Sequence, residues 1–403
     1  MDNATGIGIT HEMSRQVRVV TAGNSKTRPV CSVGEHDSFQ SSTWPLLLRL
    51  ATAAIDESSI DPSTTLIDAI GWAALAGGAE AHGLAPLAHA CLQLHRHAVP
   101  EAVMKQFEAL TLRHRIWHRE RTIALTEILQ AFDQASIQVL VLKGAALAWT
   151  IYPSPALRPM GDLDLLVPPA AARTAQLSLR QLGFDAQDDS QRRFGKNAHH
   201  LPIASRSQNG IIISVEIHRD ALSRDTLSSI SMNNLTEPPR SFDMNGMHAR
   251  TLGHIDTLRH LTHHLLEPSW NGRLRLVGVV DLFRYALTFS NQIDWPRLEG
   301  SHGFVLNALR CLHHVVPLPG ALARFSPAAN SPAPMRVGET IRPLRAMLAD
   351  GRPTALLTEL FDPPDWWLHA YYGVPPERSL TAVRFGRHPW RVARWLGLRV
   401  SGF

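Results

Sequence analysis

The chain is expected to fold as an α/β protein of the α+β kind, with a small mixed sheet set between helical flanks. Three observations lead there. Apolar residues recur at three and four positions from Trp44 to about Asp133, the spacing of amphipathic helices. The pattern then changes to short strand-type runs: IQVLVLKG at 137–144, DLDLLV at 162–167 and IIISVEIHR at 211–219. Helical spacing returns beyond about residue 251 in HIDTLRHLTHHLL and LRLVGVVDLFRYALTF.

In chain order, residues 1–43 are polar and aperiodic, and are expected to be a disordered leader that carries no chemistry. Residues 44–136 form a helical N-terminal region, broken at Gly77-Gly78, Gly83 and Pro100. A core at 137–250 follows, beginning with the strand that ends in Lys143-Gly144. The strand Asp162–Val167 is closed by Pro168-Pro169, and a helix runs on to a stop at Gly183. Another strand is expected to begin at Phe184 to about Ala186, and further candidates are His200–Ala204 and Ile211–Arg219, joined through the Asn209-Gly210 turn. FDMNGMHARTL reads as one short strand-like segment. Residues 251–320 are a helical region expected to complete the substrate site, and 321–403 are rich in Pro, Arg and Trp.

Composition narrows the class. Of 403 residues, 44% are apolar and 19% charged, and the net charge is +5 with 21 histidines, ordinary values for a water-soluble globular protein. The cysteines, Cys31, Cys91 and Cys311, are odd in number and widely spaced, which argues against a disulfide framework or structural zinc and for a reducing cytoplasm. The first twenty residues lack the pattern of a signal peptide, and no apolar run reaches the ~18–20 residues of a membrane helix.

The chemistry gathers around RPMGDLDLLV. Asp162 and Asp164 lie two apart, so on a strand they share a face, where two carboxylates repel each other and need a cation. In ISVEIHRD the same period puts Ser214, Glu216 and His218 on one face. If the two strands are neighbours, three carboxylates meet there, a set of hard oxygens suited to Mg²⁺ or Mn²⁺. Upstream, VLVLKGAAL offers a strand, a glycine and a helix start, where backbone N–H groups bind phosphate. Lys143 and Arg158 add positive charge.

The order LKG, R-x-x-x-D-x-D-x-L-V, then V-E-I-H resembles the nucleotidyltransferases of the DNA polymerase β superfamily, and more narrowly a bacterial group of uncharacterised nucleotidyltransferases. RHLTHH, VVDLFRY and QIDW are similar to that group too, over roughly residues 45–300, and HPWRVARWL more loosely. The resemblance implies metal-dependent transfer of a nucleoside monophosphate from an NTP to an acceptor, with release of pyrophosphate. It implies that Asp162 and Asp164 bind the metal, that Glu216 is a third ligand or the base, and that Gly144 lines the triphosphate. Where the superfamily has Gly-Ser or Gly-Gly-Ser, this chain has Lys143-Gly144-Ala145, so either Lys143 replaces the hydroxyl or the nucleotide is held differently.

Other readings carry less weight. In phosphatases and glycosyltransferases with Asp-x-Asp the pair ends an apolar strand, whereas here ArgProMetGly precedes it. A non-catalytic nucleotide-binding module and a phosphotransferase moving the γ-phosphate stay open as alternatives. His218, His260 and His264 are candidate acceptor contacts; for His260, His263 and His264, and for the pairs His199-His200 and His313-His314, ordinary packing or a polar lining of the acceptor pocket outweighs metal binding. The arginines and tryptophans after Arg378 read as an amphipathic closing helix with packed tryptophans, ahead of nucleic-acid binding. The acceptor, whether small molecule, peptide, protein or RNA end, is not encoded in any motif, and no membrane insertion is expected.

Overall fold

The strand-type runs assemble as the alternation of side chains requires, into a five-stranded mixed sheet. The computed structural model describes residues 43–56, 62, 69–186, 199–222, 228–266, 275–327, 361, 363, 365–375 and 377–400. The expected leader, except Thr43, and Cys31 lie outside them. The strands are β1 (Leu140–Val141), β2 (Leu163–Leu166), β3 (Asp185–Ala186), β4 (Ala204–Gln208) and β5 (Ile211–His218), in the spatial order β1-β2-β5-β4-β3. β2 and β5 run parallel and the other pairs antiparallel.

Among the described residues, four α-helices precede the sheet: α1 (Trp44–Asp56), α2 (Ala69–Ala81), α3 (Ala85–Gln93) and α4 (Glu101–Gln134). α4 has 34 residues, about 51 Å at 1.5 Å per residue. Its first half buries Val103, Met104 and Phe107 in a helical core, and its last half buries Ala124, Leu125, Ile128 and Phe132 in the sheet's core. One rod therefore belongs to both cores.

α5 (Lys143–Thr150) follows β1, and α6 (Ala172–Gln181) follows β2. Register assigns the faces of the sheet. Leu163, Leu165, Val215 and Ile217 lie on the face packed against α4 and α6. Asp164 beside Glu216, and Leu166 beside His218, fall on the opposite face. A one-residue slip would exchange the two sets, and burying two carboxylates under α4 would be prohibitive.

Two expectations are corrected in this region. The strand expected at His200–Ala204 instead runs Ala204–Gln208, because SRSQ pairs residue for residue with β5 up to the Asn209-Gly210 turn. Both turn residues are left-handed, with φ of 50° and 76°, as a two-residue hairpin demands. FDMNGMHARTL is not one strand but a second hairpin, β6 (Arg240–Met244) and β7 (Met247–Thr251), turning at Asn245-Gly246 with φ of 53° and 83°. The repeated Asn-Gly was the available signal. Thr251 Oγ1 donates to Val141 O at 2.7 Å and ties this hairpin to β1.

The chain continues with α7 (His254–Leu266), α8 (Leu276–Thr288), α9 (Trp295–His302), α10 (Phe304–Leu312), α11 (Asp365–Tyr372) and α12 (His388–Val400). The α8 motif VVDLFRY ties flank to core through two buried charges one turn apart. Arg284 donates to Ile151 O at 2.8 Å and also to Ala54 O on α1. Asp281 takes Arg158 and Tyr152. At the C-terminal end Arg378, Arg387 and Arg394 are exposed as expected, and two residues depart from expectation. Trp390 is 59% exposed, while Arg391 is buried with its guanidinium 3.9 Å from the Tyr371 ring centroid; Trp366 and Trp367 of α11 fill the core instead. Cys91 and Cys311 are free and buried, and burial pushes their thiols up to about 11 and 12, so both are inert at neutral pH. Among the described residues no helix is long and apolar enough to cross a membrane.

Candidate active site

β2 and β5 place Asp164 directly beside Glu216. Asp164 Oδ1 accepts from Lys143 Nζ at 3.0 Å and from His218 Nε2 at 2.9 Å. His218 Nε2 also lies 3.4 Å from Glu216 Oε2. Lys143 reaches Asp164 because Leu142, just before it, donates its backbone N–H to Asp164 O at 3.0 Å. The strand end and the helix start are thus pinned to the carboxylate they serve. Lys143 itself is left-handed, φ 46°, a conformation that costs a non-glycine residue about 1 kcal/mol or more. The N-terminal turn of α5, with Gly144 and Ala145, opens beside it.

The electrostatics follow from these contacts. Burial alone would raise the Asp164 carboxyl, but Lys143 and His218 outweigh it and hold it well below the usual range. Burial also works against ionised Glu216, and the hydrogen bond from His218 again prevails, lowering it. Burial opposes a charge on His218 and on Lys143 as well. The surrounding carboxylates reverse this, so both keep their protons more firmly than in water.

Asp162 differs from Asp164. It lies one residue before β2 rather than within it, and it is exposed. Crowding by the surrounding protein, and then the Asp164 carboxylate, push its carboxyl up to about 6. His264 has the same double character: it is exposed, yet Lys143 first and crowding second push it down to about 3. Asp162 and His264, far apart in sequence, both stand close enough to Lys143 and Asp164 to feel their charges.

Asp162 has a direct stability consequence. Its folded-state carboxyl is raised above the unfolded one, so between about pH 4 and pH 6 the folded protein holds a proton that the unfolded chain has released. This group's contribution therefore falls as pH rises through that window. Asp162→Asn is expected to raise stability at pH 7.5 by about 1 kcal/mol, after allowing for solvent screening on its open side, or roughly 1–3 °C in Tm. Melting at pH 4 and at pH 7.5 tests this: the gain should be small at pH 4, and a variant less stable than wild type at pH 7.5 would contradict it.

The remaining sequence candidates are placed as follows. Arg158 is not free to face the site. Its Nε lies 2.8 and 2.9 Å from the two Asp281 oxygens, its Nη2 2.6 Å from Oδ2, and its Nη1 donates to Pro159 O. A side chain on Gly144 would come within 3.5 Å of Arg158 Nη1 and 3.3 Å of Met160 Cγ, so the glycine lets α5 seat on this clasp. His260 is buried, its Nε2 without a hydrogen-bond partner, in a recess behind Lys143 that Thr257 and Tyr285 also line. His263 faces the other way, 4.5 Å from the Phe304 ring, so α7 offers no three-histidine metal site.

Two groups were not assigned to the site from sequence. His199 and His200 stand 5.9 and 5.6 Å from the His218 ring, and His200 pairs with His218 as an isolated bridge. Burial, then the neighbouring His200, pushes His199 down to about 3, so it is neutral. The signal was a His-His pair just before the strand that pairs with VEIH. Arg121 on α4 donates to Gly161 O at 3.3 Å and holds the turn that presents Asp162.

Among the described residues, one group has donor atoms close enough to share a metal ion: Asp164, Glu216 and His218, all within 4.8 Å of one another. Two carboxylates and an imidazole fit a divalent ion, Mn²⁺ at least as well as Mg²⁺. His218 therefore joins the two strand carboxylates, and Asp162 adds its charge close by. A family model described as uncharacterised nucleotidyltransferase matches residues 68–317. No curated protein and no solved structure matches the chain. The match takes in the sheet's core, the strand carboxylates and the Arg158–Asp281 clasp, and on it the chain belongs to the family of uncharacterised nucleotidyltransferases.

Proposed function

We propose that the protein transfers a nucleoside monophosphate from an NTP to a nucleophilic acceptor and releases pyrophosphate, in a metal-dependent reaction at the Asp164–Glu216 site. The observation that carries this is the placement of two carboxylates at one register of parallel neighbouring strands, beside the N-terminus of a helix whose first residues are Lys143-Gly144. A divalent ion held by Asp164, Glu216 and His218, with Asp162 adding charge, would neutralise the phosphates and steady the attacking and leaving oxygens.

The chain's own residues do the rest. The backbone N–H groups of Gly144 and Ala145 at the start of α5 receive phosphate oxygens. Glu216, partly accessible beside His218, takes the acceptor's proton. The Arg158–Asp281 clasp acts by position, fixing Gly144 and the turn before β2. His260 and His264 belong to the side of α7 nearest Lys143, and His264 is the one open to an acceptor. The neutral imidazoles of His199, His200 and His264 suit hydrogen bonding more than charge pairing, which favours an acceptor with hydroxyl groups. A small molecule, a peptide, a protein side chain and an RNA end all offer these.

Incubation with Mg²⁺ or Mn²⁺ and ATP, GTP, CTP and UTP labelled at the α- or γ-phosphorus tests the reading. Label carried to product from the α position, with pyrophosphate released, is the expected result. Transfer of γ label alone would make the protein a phosphotransferase. Nucleotide bound tightly with no transfer of either label would make it a binding module.

A further inference from the structure

Enzymes that displace pyrophosphate with two divalent ions hold them about 3.5–4 Å apart, bridged by a shared carboxylate. Here one side of the shared carboxylate is already taken by a cation of the chain's own. Lys143 Nζ lies 3.0 Å from Asp164 Oδ1, with its side chain only 19% exposed. Asp162 and Glu216 are the other charges that act on it. The same oxygen accepts from His218 Nε2 at 2.9 Å, and His218 and Glu216 form with Asp164 the metal-capable trio.

The backbone holds this arrangement in place. Lys143 sits at the first position of α5 with φ 46°, where glycine would be free of strain. The lysine is kept despite that strain, and the bond from Leu142 N to Asp164 O locks its root to the carboxylate's own backbone. A mobile surface lysine would need neither.

Charge balance points the same way. Asp162, Asp164 and Glu216 carry three negative charges. Once His218 gives up its proton to become a ligand, one ammonium and one divalent ion neutralise them, whereas a second divalent ion would have to lie against the ammonium. We propose that the Lys143 ammonium takes the place of one of the two metal ions, so that this site works with a single divalent cation held by Asp164, Glu216 and His218. The inference rests on the nucleotidyl-transfer reading and adds its metal stoichiometry. It also accounts for Lys143 standing before Gly144 in a chain that lacks the usual serine after it.

Electron paramagnetic resonance of the full chain with Mn²⁺ and, in turn, the α,β-methylene analogues of ATP, GTP, CTP and UTP decides the matter without turnover. The expected wild-type spectrum is the six-line signal of isolated protein-bound Mn²⁺. In Lys143→Gly, which suits the left-handed backbone and removes the ammonium, an exchange-coupled spectrum of a Mn²⁺ pair should appear. A coupled pair in the wild type overturns the proposal, and that measurement needs no variant to fold. A six-line signal that persists in Lys143→Gly, shown by circular dichroism to be folded, also overturns it. Absence of any protein-bound Mn²⁺ with all four analogues sinks the nucleotidyl-transfer reading itself, and the inference with it.

Discussion

Asp164→Asn should lower nucleotidyl transfer by about 10³-fold or more while the protein stays folded at 20 °C. Asn keeps the shape of the side chain and one oxygen but not the charge. Asp164 is only 3% exposed, and its Oδ1 is the common point of Lys143 and His218. Removing one preorganised charge contact from a reacting centre costs about 10²–10³-fold, and here the same change also removes a metal ligand. Stability should fall too. Breaking a buried pair from one side costs about 3–5 kcal/mol, and the lower end applies because Lys143 keeps some access to water.

The sign with pH is fixed by the depressed carboxyl. The stability Asp164 supplies is present above the ordinary aspartate value of about 3.9 and is lost as pH falls below it. Wild type and Asp164→Asn should therefore differ most at neutral pH and converge in acid. The contrast with Asp162→Asn is diagnostic. Both substitutions should remove transfer, yet one should lower Tm and the other raise it, because Asp164 is paired while Asp162 is repelled. Equal losses of Tm in the two variants would show that this division of charge is wrong, and full transfer activity in Asp164→Asn would remove the site.

Asp281→Ala should be the most destabilising single change near the site, by about 3–5 kcal/mol. Asp281 is 2% exposed. It accepts from Tyr152 Oη at 2.5 Å and from Arg158 through Nε and Nη2. Burial works against the charge on Arg158, and Asp281 more than offsets it, so the guanidinium holds its proton more firmly than in water. Without the carboxylate, a buried cation is left with no counter-charge. Against a typical total of 5–15 kcal/mol, that loss is a large share of the fold's stability. Since Gly144 seats on Arg158 and Met160, transfer should fall as well, although Asp281 is on α8 and is assigned no contact with nucleotide. Urea denaturation followed by fluorescence measures the first effect. A cost below about 1 kcal/mol would mean that the clasp contributes little, and Asp281→Asn, which keeps hydrogen-bond acceptance, should recover part of it.

Much of the fold was legible because it is written in local periods. The helical spacing at 101–132 and the alternation in IIISVEIH each follow from which residues can face a core. The Asn209-Gly210 turn was legible for a local reason too, as left-handed backbone selects those residue types. The same signal at Asn245-Gly246 marked a hairpin inside FDMNGMHARTL, yet its strands, RSFDM and MHART, are short and half exposed, so alternation there is faint. His200–Ala204 was displaced toward SRSQ because polar residues on an outward face pair as well as apolar ones. Pairing is set by the partner strand, which local sequence does not show.

The sequence by itself determined the residue types of the site: two aspartates two apart, a glutamate and a histidine two apart, and a lysine-glycine pair at a helix start. Covalent spacing and the alternation of a strand decide which of these share a face. Only the tertiary structure decided that β5 lies parallel beside β2, with Asp164 against Glu216. It alone turned Arg158 toward Asp281, 123 residues away in the chain. It also brought His199, His200 and His264 to the carboxylates, and it split the Asp-x-Asp pair of RPMGDLDLLV into a buried, paired Asp164 and an open, repelled Asp162. Those outcomes depend on desolvation and on charges distant in sequence, and both come into being only when the chain packs.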